Sequence, residues 1–290
     1  MAAPAEQPPK RASSLTLRII SAAVLIPIVA AAAYLGHPWW DLLVILFGVV
    51  MIWEWCRIAG RRRDPDQPAV WLPEWDPVVK YIGVVTVLAA LSVFTREGWA
   101  ALWSALIVGA LIIAALAFTP RRSAALWGAP GLFYVAVPCA AIIWLRADAS
   151  VGLPQILWIV ALVIAVDTGA YAAGRSIGGP KLAPRISPNK TWAGLVGGVL
   201  SAAIVGAITA AILGRPSLAP LTAVSAGLAL VEQAGDLAES AFKRHFGVKD
   251  ASNIIPGHGG ALDRVDGLIA VAAAVAGINA LIGSSVLTWL

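Results

Sequence analysis

From Arg18 to near the C-terminus the sequence is a succession of long apolar runs, separated by short turns and three longer polar stretches. A run of about 20 apolar residues spans the hydrocarbon of a bilayer as a helix, and a chain built from such runs has few other folds open to it. Nine runs meet this length, at roughly 18–36, 39–56, 79–95, 99–118, 124–145, 152–173, 193–213, 218–238 and 267–287. The expectation is an all-α, polytopic integral membrane protein with about nine transmembrane helices. The composition leaves little room for a soluble alternative. Charged residues make up 13% and apolar residues 59% of 290, with a mean hydropathy of +0.81, against about 25% charged in ordinary globular domains. Cys56 and Cys139 both lie inside apolar runs, so neither a disulfide framework nor a zinc cluster is expected.

The net charge of +5 points to topology and gives no reason to expect a nucleic-acid partner, because the basic residues sit between the apolar runs. Placing the N-terminus in the cytoplasm and counting nine spans puts the C-terminus outside. Of 21 basic residues, 18 then fall inside or at adjoining helix ends, and only Arg96, Arg146 and Arg215 outside. A miscounted span would scramble that partition. Residues 1–17, rich in Ala, Pro and Ser, read as a disordered cytoplasmic tail. The run after Arg18 has the length of a retained first helix, longer than a cleaved signal segment needs. Residues 18–150 then form an N-terminal set of helices. Residues 151–290 would form a C-terminal transmembrane region with cytoplasmic loops 174–192 and 239–266, made the expected catalytic region by the residues considered next.

Acidic residues of the first half are expected mostly in loops or at helix ends. Those of the second half differ. Asp167, Glu232, Asp236 and Glu239 fall within apolar helices or at their cytoplasmic ends, where an ionisable group costs at least ~2.5–3.5 kcal/mol and therefore faces a partner or a water-filled cavity. Glu232, Asp236, Glu239, Ser240 and Lys243 follow helical spacing and form one polar stripe on the eighth helix. Such a stripe serves either an interhelical salt-bridge seam or a site.

Immediately downstream, Ser240 to Gly267 packs Lys243, Arg244, Lys249 and Arg264 beside Asp250, Asp263 and Asp266, with a turn through Pro256, Gly257, His258, Gly259 and Gly260. Glycine-rich turns let backbone N–H groups approach phosphates, and carboxylates opposite them suit a hard divalent ion. A second polar loop runs from Asp167 to Gly194 and supplies Arg175, Lys181, Arg185 and Lys190, with Ser187, Asn189 and Thr191 as hydroxyl and amide groups suited to a nucleotide. A basic loop of this kind also serves as a topology signal or an anionic-lipid contact. Together the parts are those of phosphoryl or nucleotidyl transfer, which relies on charge neutralisation and positioning.

The segment S-A-F-K-R-H-F-G-V-K-D-A-S-N-I-I-P-G-H-G-G-A-L-D-R-V-D, Ser240 to Asp266, resembles the signature of the phosphatidate cytidylyltransferases over its whole length, and Asp167 to Gly194 resembles their second shared block. Asn189, Ala193 and Gly267 depart from the pattern, where lysine, glutamate and serine are common. The resemblance implies condensation of CTP with phosphatidic acid to CDP-diacylglycerol and pyrophosphate on the cytoplasmic face of the inner (plasma) membrane. It further implies Mg²⁺ held by Asp236 and Asp263. The reading then assigns Lys243, Arg264 and Asp266 to the catalytic group. Asp167, Arg175, Ser187, Asn189, Lys190, Thr191, Ser240, Arg244, Lys249, Asp250, His258, Gly259 and Gly260 are expected around the substrates. Two other classes compete: a CTP-using lipid kinase, which releases CDP, and a proton- or ion-relaying transporter, against which the one-sided clustering of charge argues. Gly197 and Gly198 offer a helix-packing face within one chain or in a homodimer.

Overall fold

A computed structural model describes residues 14–63, 71–72, 77–118, 122–255, 257 and 259–288. Among these residues there are nine α-helices: α1 Ser14–Leu35, α2 Trp39–Ala59, α3 Pro77–Glu97, α4 Trp99–Ala115, α5 Arg122–Ala147, α6 Gly152–Ser176, α7 Trp192–Ile212, α8 Ala219–His245 and α9 Leu262–Ile282. Six of them, α2, α3, α5, α6, α7 and α9, are long and apolar enough to cross a membrane. The apolar part of α1 and all of α4 are shorter, and α8 is interrupted by its polar stripe.

Two boundaries differ from the sequence reading in a way that matters for the site. Helix α8 continues to His245, so Glu239, Ser240, Lys243 and Arg244 ride on its last two turns. Helix α9 begins at Leu262, which places Asp263, Arg264 and Asp266 in its first two turns. Charge in these turns made them read as loop, yet α8 ends on Lys243, Arg244 and His245 and α9 opens with Asp263, the signs a helix dipole favours at each end. The chain is also not purely helical. Strands β1 (Arg62–Arg63) and β2 (Trp71–Leu72) pair, and β3 (Lys181–Ala183) pairs with β4 (Ser187–Thr191), both antiparallel. Strands of two to five residues are too short to show periodicity. Gly178 and Gly179, both at positive φ, turn the chain from α6 into β3.

Helices α2 to α5 pack on one another, α6 to α9 form a second group, and α5 and α2 join the two by packing on α9. Helix α7 shows how a lipid-facing helix is built. Trp192, Val196, Leu200, Ile204, Ile208 and Ile212 are exposed, while Gly194, Gly198, Ala202, Gly206 and Ala210 are buried. Large side chains point outward and small ones inward, the reverse of a helix in water. Gly197 lies against Gly169 and Ala173, and Gly198 against Val166, so both glycines pack α7 onto α6 within the chain. At Gly206 a Cβ would sit 2.6 Å from the Leu221 carbonyl oxygen of α8, which backbone cannot yield.

Gly206→Val is therefore expected to destabilise the α7–α8 pair by about 1–3 kcal/mol through overpacking. The outward Ile204→Val should change stability by less than about 0.5 kcal/mol. Unfolding of the detergent-solubilised variants checks the contrast, and equal effects at both positions would contradict the packing.

Candidate active site

The polar stripe of α8 lies at the contact of α6, α8 and α9, and two of its charges, Asp236 and Lys243, pair with residues of other segments. Lys243 lies 2.5 Å from Glu239 Oε2, one turn back, and 2.6 Å from Asp263 Oδ1 on α9. Glu239 is buried, and its Oε1 has no hydrogen-bond partner among the described residues. Asp263 is the hub of the turn between α8 and α9. Its carboxylate also accepts the Ala251 N–H at 2.8 Å and 3.1 Å (Oδ2 and Oδ1) and the Gly260 N–H at 2.9 Å. Three donors thus converge on that carboxylate, the Ala251 N–H shared between its two oxygens. At Gly259 φ is +91°, and the Ile255–Gly259 bridge closes the turn above Asp263.

The second polar block folds onto the same helix. Lys190, at the end of β4, lies 2.6 Å from Asp236 Oδ2 and donates to Gln233 Oε1 at 2.9 Å. Arg244 donates to the Ile186 carbonyl at 3.4 Å and the Val248 carbonyl at 3.0 Å, a second tie between the hairpin and α8. Asp236 keeps spare capacity: apart from Lys190 it accepts only the Ser240 hydroxyl, at 3.2 Å, and its side chain is 26% exposed against 7% for Asp263. Asp167 on α6 lies within electrostatic reach of Glu232, Asp236, Lys190 and Arg264. Asp266 faces Asp236 and Lys243 and accepts the Gly267 N–H at 2.9 Å. The carboxylates of Asp167, Glu232, Asp236, Glu239, Asp263 and Asp266 outnumber the cations set against them, Lys190, Lys243 and Arg264. An excess of hard carboxyl oxygens at one end of a bundle suits a divalent cation.

The other expected residues have local contacts of their own. Thr191 is buried and caps α7, its Oγ1 accepting the Gly194 N–H at 3.0 Å. Gly260 and Gly259 shape the Asp263 turn. Ser187 begins β4 opposite Ala183, and Asn189, Lys249 and Asp250 are exposed. Arg175, also exposed, reaches the Tyr171 hydroxyl at 3.4 Å. His258 lies outside the described residues. Gly267 is buried under Glu232, where a Cβ would meet Oε1 at 2.7 Å. That contact gives a physical setting for this departure from serine.

Three neighbours escaped the sequence reading. Gln233 bridges Lys190 to Glu232, donating to Glu232 Oε2 at 2.7 Å. Tyr134 of α5 faces Glu239, Asp266 and Asp236, and its buried hydroxyl has no hydrogen-bond partner among the described residues. Glu54 of α2 is fully buried and binds the start of α9. The first two have no signature in a single sequence. Glu54 did have one, a lone carboxylate within the apolar run Met51–Cys56, and contrary to the expectation for the first half it lies in neither a loop nor an exposed helix end.

Lys243→Met should leave Glu239 and Asp263 facing each other without their cation, a loss of about 3–5 kcal/mol for a broken buried pair. Adding Glu239→Leu should recover part of that stability. Additive losses in the double variant, read from unfolding midpoints, would show that the three charges do not form one unit.

Residues 16–281 match the model of the cytidylyltransferase family. The chain is similar to the phosphatidate cytidylyltransferase of Brucella suis, 37% identical over 263 residues that cover 90% of this chain and 92% of that protein. It is 33% identical to the Haemophilus influenzae enzyme of that name over 88% of this chain and 95% of that one. For the Pseudomonas aeruginosa counterpart the identity is 35%, over 88% and 93% respectively. The helices, the paired polar blocks and these relatives agree, and the chain belongs to the cytidylyltransferase family.

Proposed function

We propose that the chain condenses CTP with phosphatidic acid, giving CDP-diacylglycerol and pyrophosphate, at the cytoplasmic face of the plasma membrane. In this reading all nine helices span or enter the bilayer, with the N-terminus inside and the C-terminus outside. The observation that carries the reading is the convergence of Lys190 with Asp236 and of Lys243 with Asp263. It joins the two blocks that resemble the family's to one polar cluster at the ends of α6, α8 and α9.

The chemistry follows from charge. The phosphate of phosphatidic acid is largely deprotonated near neutral pH, like other phosphomonoesters with a second pKa of about 6. It needs no dedicated base. One of its oxygens bonds to the α-phosphorus of CTP, the bond from that phosphorus to the oxygen bridging to the β-phosphate breaks, and pyrophosphate departs with the electron pair. What opposes the step is repulsion between two polyanions, so the protein must supply cations and alignment. Lys190, Lys243 and Arg264 stand at the cluster, and Arg244 and Lys249 at its rim. Bound Mg²⁺ would neutralise and orient the triphosphate. Asp236, with lone pairs to spare, is its first ligand in this reading. Asp263 would be the second residue to hold it, with Lys243 beside it as a cation for phosphate. Among the described residues no three His, Cys, Asp or Glu side chains converge on one point. An ion held by one or two carboxylates would draw its remaining ligands from phosphates and water.

A lipid substrate also needs an apolar berth. A cavity of about 490 Å³ lies against the α8–α9 turn, lined by Val24, Leu46, Phe47, Val50, Ile254 and Ala261. Its walls are almost wholly apolar, and it belongs to the same segment whose other side carries Asp263. An acyl chain fits those surroundings.

Purified protein given phosphatidic acid, Mg²⁺ and CTP labelled at the α-phosphate should transfer the label into lipid, and a chelator should stop it. Asp236→Asn should reduce the rate by at least roughly 10²–10³ while the protein stays folded, the scale of losing one transition-state contact. Label recovered as free CDP would instead identify a CTP-dependent lipid kinase. Full activity in Asp236→Asn would refute the assignment of that residue.

A further inference from the structure

Helix α9 starts without a cap of its own. Its N-cap residue, Ala261, has no side-chain acceptor, yet the first turn carries Asp263 and Arg264 into the polar cluster. The missing acceptor comes from more than 200 residues away. Glu54, fully buried on α2, accepts the Ala261 N–H at 3.0 Å on Oε1 and the Leu262 N–H at 2.7 Å on Oε2. The Ser252 hydroxyl also donates to Oε1, and the same hydroxyl oxygen accepts the Ile254 N–H at 3.1 Å. A Cβ at Gly260 would sit 2.6 Å from Glu54 Oε1, so glycine is what lets the turn come this close. A carboxylate at the positive end of a helix, receiving its otherwise unsatisfied N–H groups, is electrostatically well placed.

Two carboxylates on different helices therefore grip one segment. Asp263 holds Ala251 and Gly260 from α9, and Glu54 holds Ser252, Ala261 and Leu262 from α2. We infer that Glu54 is a positioning residue for cytidylyl transfer: it locks the α8–α9 turn to α2 and so fixes Asp263, Arg264 and Asp266 against Lys243 and Asp236. The inference rests on the function proposed above. Glu54 does not touch the substrates in this scheme. It acts through the first turn of α9, and it makes α2, outside the polar blocks, part of the reaction's framework.

Glu54→Gln in the full-length protein tests this with little change in shape. Three donors converge on two carboxylate oxygens, and an amide offers only one oxygen. Its NH₂ must then face either the Leu262 N–H or the pair from Ser252 and Ala261. Hydrogen exchange at the Ala261 and Leu262 amides should accelerate. The Mg²⁺ concentration for half-maximal rate should rise, or turnover should fall, by about 10–100-fold, the range seen when a group orienting a metal ligand is lost. Ser252→Ala, which removes one donor and leaves the carboxylate, should shift both measures in the same direction by less.

A role confined to stability would reduce the amount of folded protein and leave both the half-saturating Mg²⁺ and the turnover of the folded fraction unchanged. That result, in either variant recovered folded, overturns the inference. If Glu54→Gln fails to accumulate, the comparison is made on Ser252→Ala. If the unaltered protein transfers no cytidylyl group, the proposed function fails. The exchange measurement then decides whether Glu54 holds the turn, and unaltered exchange at Ala261 and Leu262 would overturn that as well.

Discussion

An ion removed from water inside an apolar bundle must find a partner, because the desolvation penalty is several kcal/mol per charge. The rest of the structure is arranged around that constraint. Lys243 between Glu239 and Asp263, Lys190 on Asp236, and Glu54 on the N-terminus of α9 are solutions to it. Each joins segments distant in sequence: the β3–β4 hairpin to α8, α8 to α9, and α9 to α2. The polar groups that would destabilise an apolar bundle thus also specify how the helices meet.

The same pairing leaves a residue of chemical potential. Carboxylates exceed cations in the cluster, Glu239 Oε1 and the Tyr134 hydroxyl have no hydrogen-bond partner among the described residues, and Asp236 is partly exposed. A network built for stability alone would close these groups, since an unsatisfied buried polar atom costs about 1–3 kcal/mol. A site that receives a divalent ion and two phosphate-bearing substrates has use for them. Lysines already held beside carboxylates are preorganised, so little reorganisation is needed when phosphate takes the place of a carboxylate partner.

Much of this was legible from the sequence, for identifiable reasons. Hydropathic length located nine helices because lipid-facing helices read as continuous apolar runs, and α7 shows that pattern without interruption. Their ends were less legible. The last turns of α8 carry Lys243 and Arg244, and polar residues in a helix that leaves an apolar core look the same as a loop. The stripe from Glu232 to Lys243 was visible because helical spacing survives in a list of letters. What the stripe paired with was not, since Lys190 and Asp236 are 46 positions apart and no local rule relates them. Thr191 was read as a substrate contact because a hydroxyl in a polar segment fits either role, and only the onset of α7 gives it the work of a cap. Glu54 shows a different gap. Its signal, a carboxylate among Trp53, Trp55 and Cys56, was of the same kind as that of Glu232, but it stood alone and without a stripe.

The central claim is that the cluster at the ends of α6, α8 and α9 is where a divalent ion and the nucleotide triphosphate meet. Locating the ion tests it most directly. Mn²⁺ substituted for Mg²⁺ and bound together with CTP can be placed by its anomalous scattering in crystals of the protein. The account predicts one strong peak within coordination distance of an Asp236 carboxylate oxygen. A peak elsewhere, with Asp236 still paired to Lys190 and the cluster unoccupied, would contradict it.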